Sequence, residues 1–490
     1  NIENSFYVIK DENKNSQIDF DELFLTTSDF LIEGPNVSMI IDQLRFVNQK
    51  GFRVKNFSSG FSYTLTYMIF KDINLTTETS EVNGQLRFDY KREDLKDFNN
   101  KVKASANFEN MSLSSEDLRL FYDGFGKDLF IEGNSKFQGS LNDLSAKDVD
   151  FTFSNSGQLK GDFQLNDLFT ADRPYQIFGK IGQFEGNQNM ISLWLPNVLS
   201  PELEKYIKRA GTIQTSGDIS VSAYEIDLDL SLTTFLGSLN SDISIFPQAE
   251  HISGTLSLSR FDMGSLLNVE KIGKVSGFSS FDTNGFDSAS FTANIAGELD
   301  RIDLNSYVYA KTSFSGKATP KAYTGQVKFR DPNLNANFDG LILYNGGQNQ
   351  YKFAAHVLQS NLKALNIVNN DKESVFSGHM LVDTEGKNVD DALGIVSFYD
   401  ISYRNQDGNY VFQNFDITAA QEEDFRILKV NSPEIISGQI KGLFKLSELN
   451  KLASNALGHI YDIGDEYVVT PNQSLDFDFV VYKVCVLETD

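Results

Sequence analysis

Residues 224–232 read Tyr-Glu-Ile-Asp-Leu-Asp-Leu-Ser-Leu, with an apolar side chain at every second position and a polar one between. A strand sends successive side chains to opposite faces, whereas a helix would scatter these residues around its axis. One dry face and one wet face follow. The same alternation returns at Val82, Gly84, Leu86, Phe88 and Tyr90, and at Tyr351, Phe353, Ala355 and Val357. It returns again at Ile436, Gly438, Ile440, Gly442, Phe444 and Leu446. Antiparallel sheets with one solvated face carry this pattern.

Working outward, Asn, Asp, Gly and Ser clusters such as 345–349 and 405–409 separate the strands and supply the backbone conformations hairpins need. Nine prolines in 490 residues leave the backbone donors free to pair in long ladders. A small or amide residue precedes Gly at Asn83-Gly84, Gln138-Gly139, Ser216-Gly217, Ser253-Gly254, Ala296-Gly297, Ser377-Gly378 and Ser437-Gly438. The irregular spacing argues against fixed-period solenoids and for a sheet that adds hairpins of varied length. Helices are few. Ser200 before Pro201 opens one that Gly211 ends, Ser114 or Ser115 opens another, and Ser447 is expected to cap a third.

Composition excludes several classes. Hydrophobic residues make up 40% of the chain and 41 residues are Phe, so the chain folds around buried apolar surface. The net charge of −24 repels nucleic acid and a bare anionic membrane surface. Cys485 stands alone, which rules out an internal disulfide or a multi-cysteine zinc site. No apolar run approaches the roughly 18 residues that span a bilayer. The chain begins at Asn1 without an initiator Met or a charged-then-apolar leader, so any targeting or anchoring segment is expected to have been removed or to lie upstream.

Catalytic and metal motifs are weak. Asp11, Asn13, Asn15, Gln17, Asp19 and Glu22 match the ligand spacing of a calcium-binding loop. Ser16 replaces its glycine, however, and the flanks 6–9 and 23–27 read as strands, so a polar strand-to-strand turn is the favoured reading and calcium the lesser one. His251, His356, His379 and His459 are dispersed, and Ser360 to Lys363 lacks the companion motifs of a serine acyl-enzyme. No cofactor is expected and the chain reads as a non-enzyme. Carboxylates are abundant, so a glycosidase stays open on sequence grounds, although the acids fall mostly on the polar phase of strands.

An apolar sheet face must be covered by helices, a second sheet, its own curl or a ligand. Helices are too few here, and no Pro/Gly-rich linker divides the chain into sandwiches. The expectation is an all-β, elongated, curled antiparallel sheet forming one groove over residues 1–490, with 195–211 as the place where a subdivision would fall. Leu86, Phe88, Leu228, Leu230, Phe338, Phe353, Ile440 and Phe444 are its expected lining. Such a groove suits lipid acyl chains, each buried CH₂ contributing about 0.8 kcal/mol. A secreted or surface β-solenoid that binds glycans is the alternative.

Three stretches resemble Bacteroidota-type TamB proteins of the AsmA-like superfamily. They are Trp194-Leu195-Pro196-Asn197-Val198-Leu199 followed by Tyr206-Ile207 and Gly211 to Gly217; Asn305 to Tyr309 followed by Asp331-Pro332-Asn333-Leu334 and Phe338-Asp339-Gly340; and Asn431-Ser432 leading into Ser437 to Gly442. The resemblance implies a periplasmic β-groove between inner and outer membranes that moves phospholipid and supports outer-membrane protein assembly with a BamA-like barrel, TamA. It also implies an inner-membrane anchor in the full-length protein. That amino-terminal anchor and the family's carboxy-terminal partner-binding domain are not evident in the chain.

Overall fold

The computed structural model describes residues 1–10, 16–48, 51–120, 122–154, 157–170, 173–196, 200–287, 289–344, 347–368, 372–449, 451, 452, 454, 455 and 467–482. Strand accounts for 68% of the chain and helix for 10%, so the class is all-β, as the alternation predicts. The chain divides into two compact units, 1–248 with 265–268, and 249–264 with 269–490. Residues 195–211 lie inside the first.

The strands of the first unit are β1 (Ile2–Lys10), β2 (Ser16–Glu33), β3 (Asn36–Asn48), β4 (Arg53–Tyr63), β5 (Tyr67–Thr77), β6 (Glu81–Asp89), β7 (Lys103–Ser114), β8 (Phe130–Ser140), β9 (Asp143–Phe153), β10 (Gly157–Asn166), β11 (Gln176–Gly186), β12 (Ile213–Ser222), β13 (Ile226–Thr234) and β14 (Gly237–Phe246). Each pairs antiparallel with the next. The second unit repeats the plan with β15 (His251–Asp262), β16 (Ile272–Asn284), β17 (Thr292–Leu304), β18 (Tyr307–Thr319), β19 (Ala322–Asp331), β20 (Leu334–Leu343), β21 (Asn349–Asn361), β22 (Ser374–Gly386), β23 (Leu393–Asn405), β24 (Gly408–Glu422), β25 (Phe425–Ser432), β26 (Ile436–Leu443) and β27 (Ser474–Val481). Each of these also pairs with its successor. Within each unit the strands form a curled meander.

Bulges bend the strands. Asp72 (φ 51°) lies where the register slips between the pairs Phe70–Leu86 and Ile73–Gly84, and Asp148 (φ 51°) does the same between Ala146–Phe163 and Val149–Gly161. Aspartate tolerates this left-handed conformation better than most residues, and the extra residues return the next apolar side chain to the inner face. Gly217 serves differently. At φ 140° it lies so near β13 that a Cβ would stand 2.1 Å from the Asp229 carbonyl oxygen.

Four short helices accompany the first sheet: α1 (Phe98–Lys101), α2 (Ser115–Leu118), α3 (Gln188–Trp194) and α4 (Pro201–Ala210). Helix α4 starts at its Ser200 cap, whose Oγ accepts from Leu203 N, and ends at Gly211, as its sequence predicts. Ser114 likewise caps α2. Ser447 does not act as a cap. It lies within the 3-10 turn Leu446–Glu448, and its hydroxyl donates to Asp390 Oδ2 (2.8 Å). No helix among the described residues is long and apolar enough to cross a membrane.

Candidate apolar binding face

Register places the inward side chains in rows that cross the strands. In the first unit one row runs Phe61, Phe70, Leu86, Ala106, Phe137, Ala146, Phe163, Gly179, Ile219, Leu228, Ile243, each residue directly opposite the next on β4 to β14. No polar side chain interrupts it. Large and small residues alternate, and the fit is close: a Cβ on Gly179 would meet both Phe163 and Ile219 at 2.8 Å. Phe88 sits in the neighbouring row between Met68 and Ala104, and Leu230, in the row on the other side, opposes Gly217 and Ser241.

The second unit is built alike. Val327, Phe338, Ala355, Met380, Phe398 and Phe415 oppose one another in sequence across β19 to β24. A second row joins Phe353, Val382, Val396, Ile417 and Val430 across β21 to β25. Ile440 lies in a third, between Leu428 and Phe477. Of the eight expected lining residues, seven fall on strands in these rows. Phe444 lies past the end of β26, only 7% exposed, with the Arg426 guanidinium 5.9 Å from its ring centre. It belongs to the margin.

The opposite face is charged. Asp162, Lys180, Asp218, Asp229 and Asp242 form an outward row, and exposed ion pairs such as Lys160–Asp150 (2.9 Å) and Lys352–Asp383 (3.1 Å) dot both sheets. The Lys136 ammonium, through its hydrogen bond, holds the Asp148 carboxyl below the usual carboxylate range. His356 and His379 stack at 4.2 Å on the polar phase of β21 and β22.

The margins are fastened by polar groups. Asp331, 6% exposed, accepts from Tyr307 Oη (2.6 Å), Ala310 N (2.9 Å) and Asn333 N (2.8 Å). Burial foremost, with the bond to Asp331, pushes the Tyr307 phenol up. The second of the three resembling stretches is therefore a clamp between strand ends. Arg426 donates to the carbonyls of Val389, Asp390 and Ala392, which pins the β22–β23 loop to the inner margin; burial lowers its pKa.

The rows differ in what covers them. In the first unit Leu129, Met190 and Trp194 form a buried cluster against Ile131, Phe153 and Phe184. In the second, a hollow of about 290 Å³ lies among Tyr323, Val327, Phe329, Phe338 and Phe353. A larger one of about 530 Å³ lies among Phe376, Phe398, Ile401, Phe412, Phe415 and Ile417. Alternation alone misses Ile401, because Asp400 (φ 51°) shifts the phase after Phe398. An aspartate between apolar residues spaced i and i+3 within a strand is the signal that would find it.

The calcium motif falls largely outside the described residues: Asp11, Asn13 and Asn15 do so entirely, as do the side chains of Gln17 and Asp19. Its flanks are the strands β1 and β2, as expected. Glu22 (φ 54°) directs Oε2 to Arg53 Nη1 at 2.6 Å, and that hydrogen bond lowers its pKa. Among the described residues no three His, Cys, Asp or Glu side chains are grouped to hold a metal. No family model, curated protein or solved structure matches the chain.

Proposed function

We propose that the chain carries lipid acyl chains along the apolar faces of its sheets, with no covalent step. The observation that supports this reading is the set of apolar rows, which in the second unit border open hollows. An acyl chain laid across such rows gains about 0.8 kcal/mol for each CH₂ it buries. Neighbouring rows offer similar surfaces, so a chain held firmly at one place can move to the next, while its head group stays in water.

The resemblance to Bacteroidota-type TamB proteins supports a periplasmic setting for this activity, as a bridge for phospholipid between inner and outer membranes. A BamA-like barrel such as TamA is then the partner in outer-membrane protein assembly. The charged outer faces suit an aqueous compartment, and the dry inner faces suit the cargo.

Native mass spectrometry of gently purified protein tests the reading. It is expected to show co-purified phospholipid, and Leu228→Asp together with Phe353→Asp is expected to remove most of it while the β circular dichroism persists. Wild-type protein that is lipid-free and takes up none from vesicles would refute the proposal.

A further inference from the structure

The larger hollow of the second unit has a polar end. Its floor is Phe376, Phe398, Phe412 and Phe415, with successive ring centres 6.0 to 6.4 Å apart. Its polar lining comes from Tyr403, Asn405 and Tyr410, which register gathers where β23 turns into β24: Tyr403 opposes Tyr410, and Asn405 opposes Gly408. Tyr403 Oη lies 3.1 Å from the Oγ of fully buried Ser374. The Tyr410 hydroxyl has no hydrogen-bond partner among the described residues, and no Lys or Arg is in the lining.

A phenol at the edge of an apolar surface offers an O–H to an acceptor that sits between dry and wet surroundings. Because a cavity of about 150 Å³ takes a benzene ring, about 530 Å³ has room for one long acyl chain. Resting on the acyl-carrying reading, we infer that this hollow is a discrete station for one acyl ester of a phospholipid, its chain over the phenylalanines and its ester carbonyl accepting from Tyr410. A neutral ester fits a lining without cations; a free carboxylate would meet no countercharge there, in a chain of net charge −24.

The test uses the full chain with Phe412→Trp as a local reporter, since Trp194 is 4% exposed and gives a constant background. Three brominated quenchers of equal chain length are compared: methyl 9,10-dibromostearate, 9,10-dibromooctadecane and 9,10-dibromostearate. The ester is expected to quench at about threefold to tenfold lower concentration than the hydrocarbon, the range one net hydrogen bond supplies. Adding Tyr410→Phe is expected to erase that advantage and leave the hydrocarbon curve in place. An ester no better than the hydrocarbon, an advantage that survives this substitution, or preference for the free acid overturns the station while leaving the trough. Failure of all three to quench refutes the acyl-carrying reading itself.

Discussion

Phe153, at the end of β9 in the first unit, and Phe398, midway along β23 in the second, both lie on inward strand faces, and their surroundings differ. Phe153 lies under Trp194 with ring centres 5.3 Å apart, whereas Phe398 borders a hollow of about 530 Å³. The cover needs a notch. A Cβ on Gly157 would stand 2.3 Å from Met190 Cε, and one on Gly186 would stand 3.3 Å from Met190 Sδ, so two glycines make room for α3 to settle on the sheet. Around Phe398 the hollow is lined by Phe376, Phe412 and Phe415, and no helical residue is among its described lining. One-sided alternation therefore prescribes a face that must be covered without saying by what; glycine placement decides where the chain covers itself.

The sharpest break of this comparison is Trp194→Ala. It removes a 4% exposed indole that joins α3 to Phe125 and Phe153, and it should lower the stability of the first unit by about 3–5 kcal/mol. Urea unfolding followed by circular dichroism measures it. Trp194→Phe should cost much less, because it also deletes an indole N–H that has no partner in its buried site.

Glycine substitutions probe whether tight backbone approach differs between regions. Gly217→Ala forces a Cβ to within 2.1 Å of the Asp229 carbonyl oxygen at φ 140° and should cost about 1–3 kcal/mol. Gly378→Ala, at φ 150° with its nearest neighbour, the Tyr399 carbonyl oxygen, at 3.2 Å, should cost less. Equal losses would mean that φ alone matters and that strand approach adds nothing.

At Phe398 the expected effect on stability is smaller still. Its side chain is half-buried, so Phe398→Ala should cost about 1–1.5 kcal/mol, half the transfer free energy of a fully buried ring. Phe398→Asp should also weaken retention of a pyrene-labelled phosphatidylcholine at least about tenfold, or roughly 1.4 kcal/mol. A Phe398→Ala loss as large as that of Trp194→Ala would show that the hollow is in truth a packed core.

Much of the fold was legible because period-2 alternation is a direct image of a half-buried strand. The four quoted stretches lie mainly on strands, with Tyr224 before β13, Tyr90 after β6, and Phe444 and Leu446 beyond β26 falling outside them. The capped ends of α4 were legible from Ser200, Pro201 and Gly211. What alternation could not deliver was phase after a bulge: Ile73, Val149 and Ile401 reach the inner side only because Asp72, Asp148 and Asp400 adopt positive φ. Nor could it show that Trp194 is a lid residue, which depends on Gly157 and Gly186 lying beneath Met190. The passage from the first unit to the second was not legible either, since only the short turn Pro247–Ala249 separates β14 from β15 there.

The smallest expected effect contrasts a closed tyrosine with an open one. Tyr90, 6% exposed, donates its hydroxyl to the Thr64 carbonyl (3.1 Å); burial, with Tyr63 nearby, pushes its pKa up to about 12. An unfolded tyrosine ionises near 10, so the folded state holds this proton more tightly. Its contribution is fully present below pH 10 and is lost as pH rises toward 12. Wild-type protein should therefore lose stability relative to Tyr90→Phe by on the order of 1 kcal/mol between pH 8 and pH 11, since the difference then reaches RT ln(11/1.1). Tyr410, by contrast, lines the open hollow, with no hydrogen-bond partner for its hydroxyl among the described residues. Parallel stability curves for wild type and Tyr90→Phe would mean that the first unit's margin admits water as freely as the second unit's, and the contrast between closed and open margins would go with it.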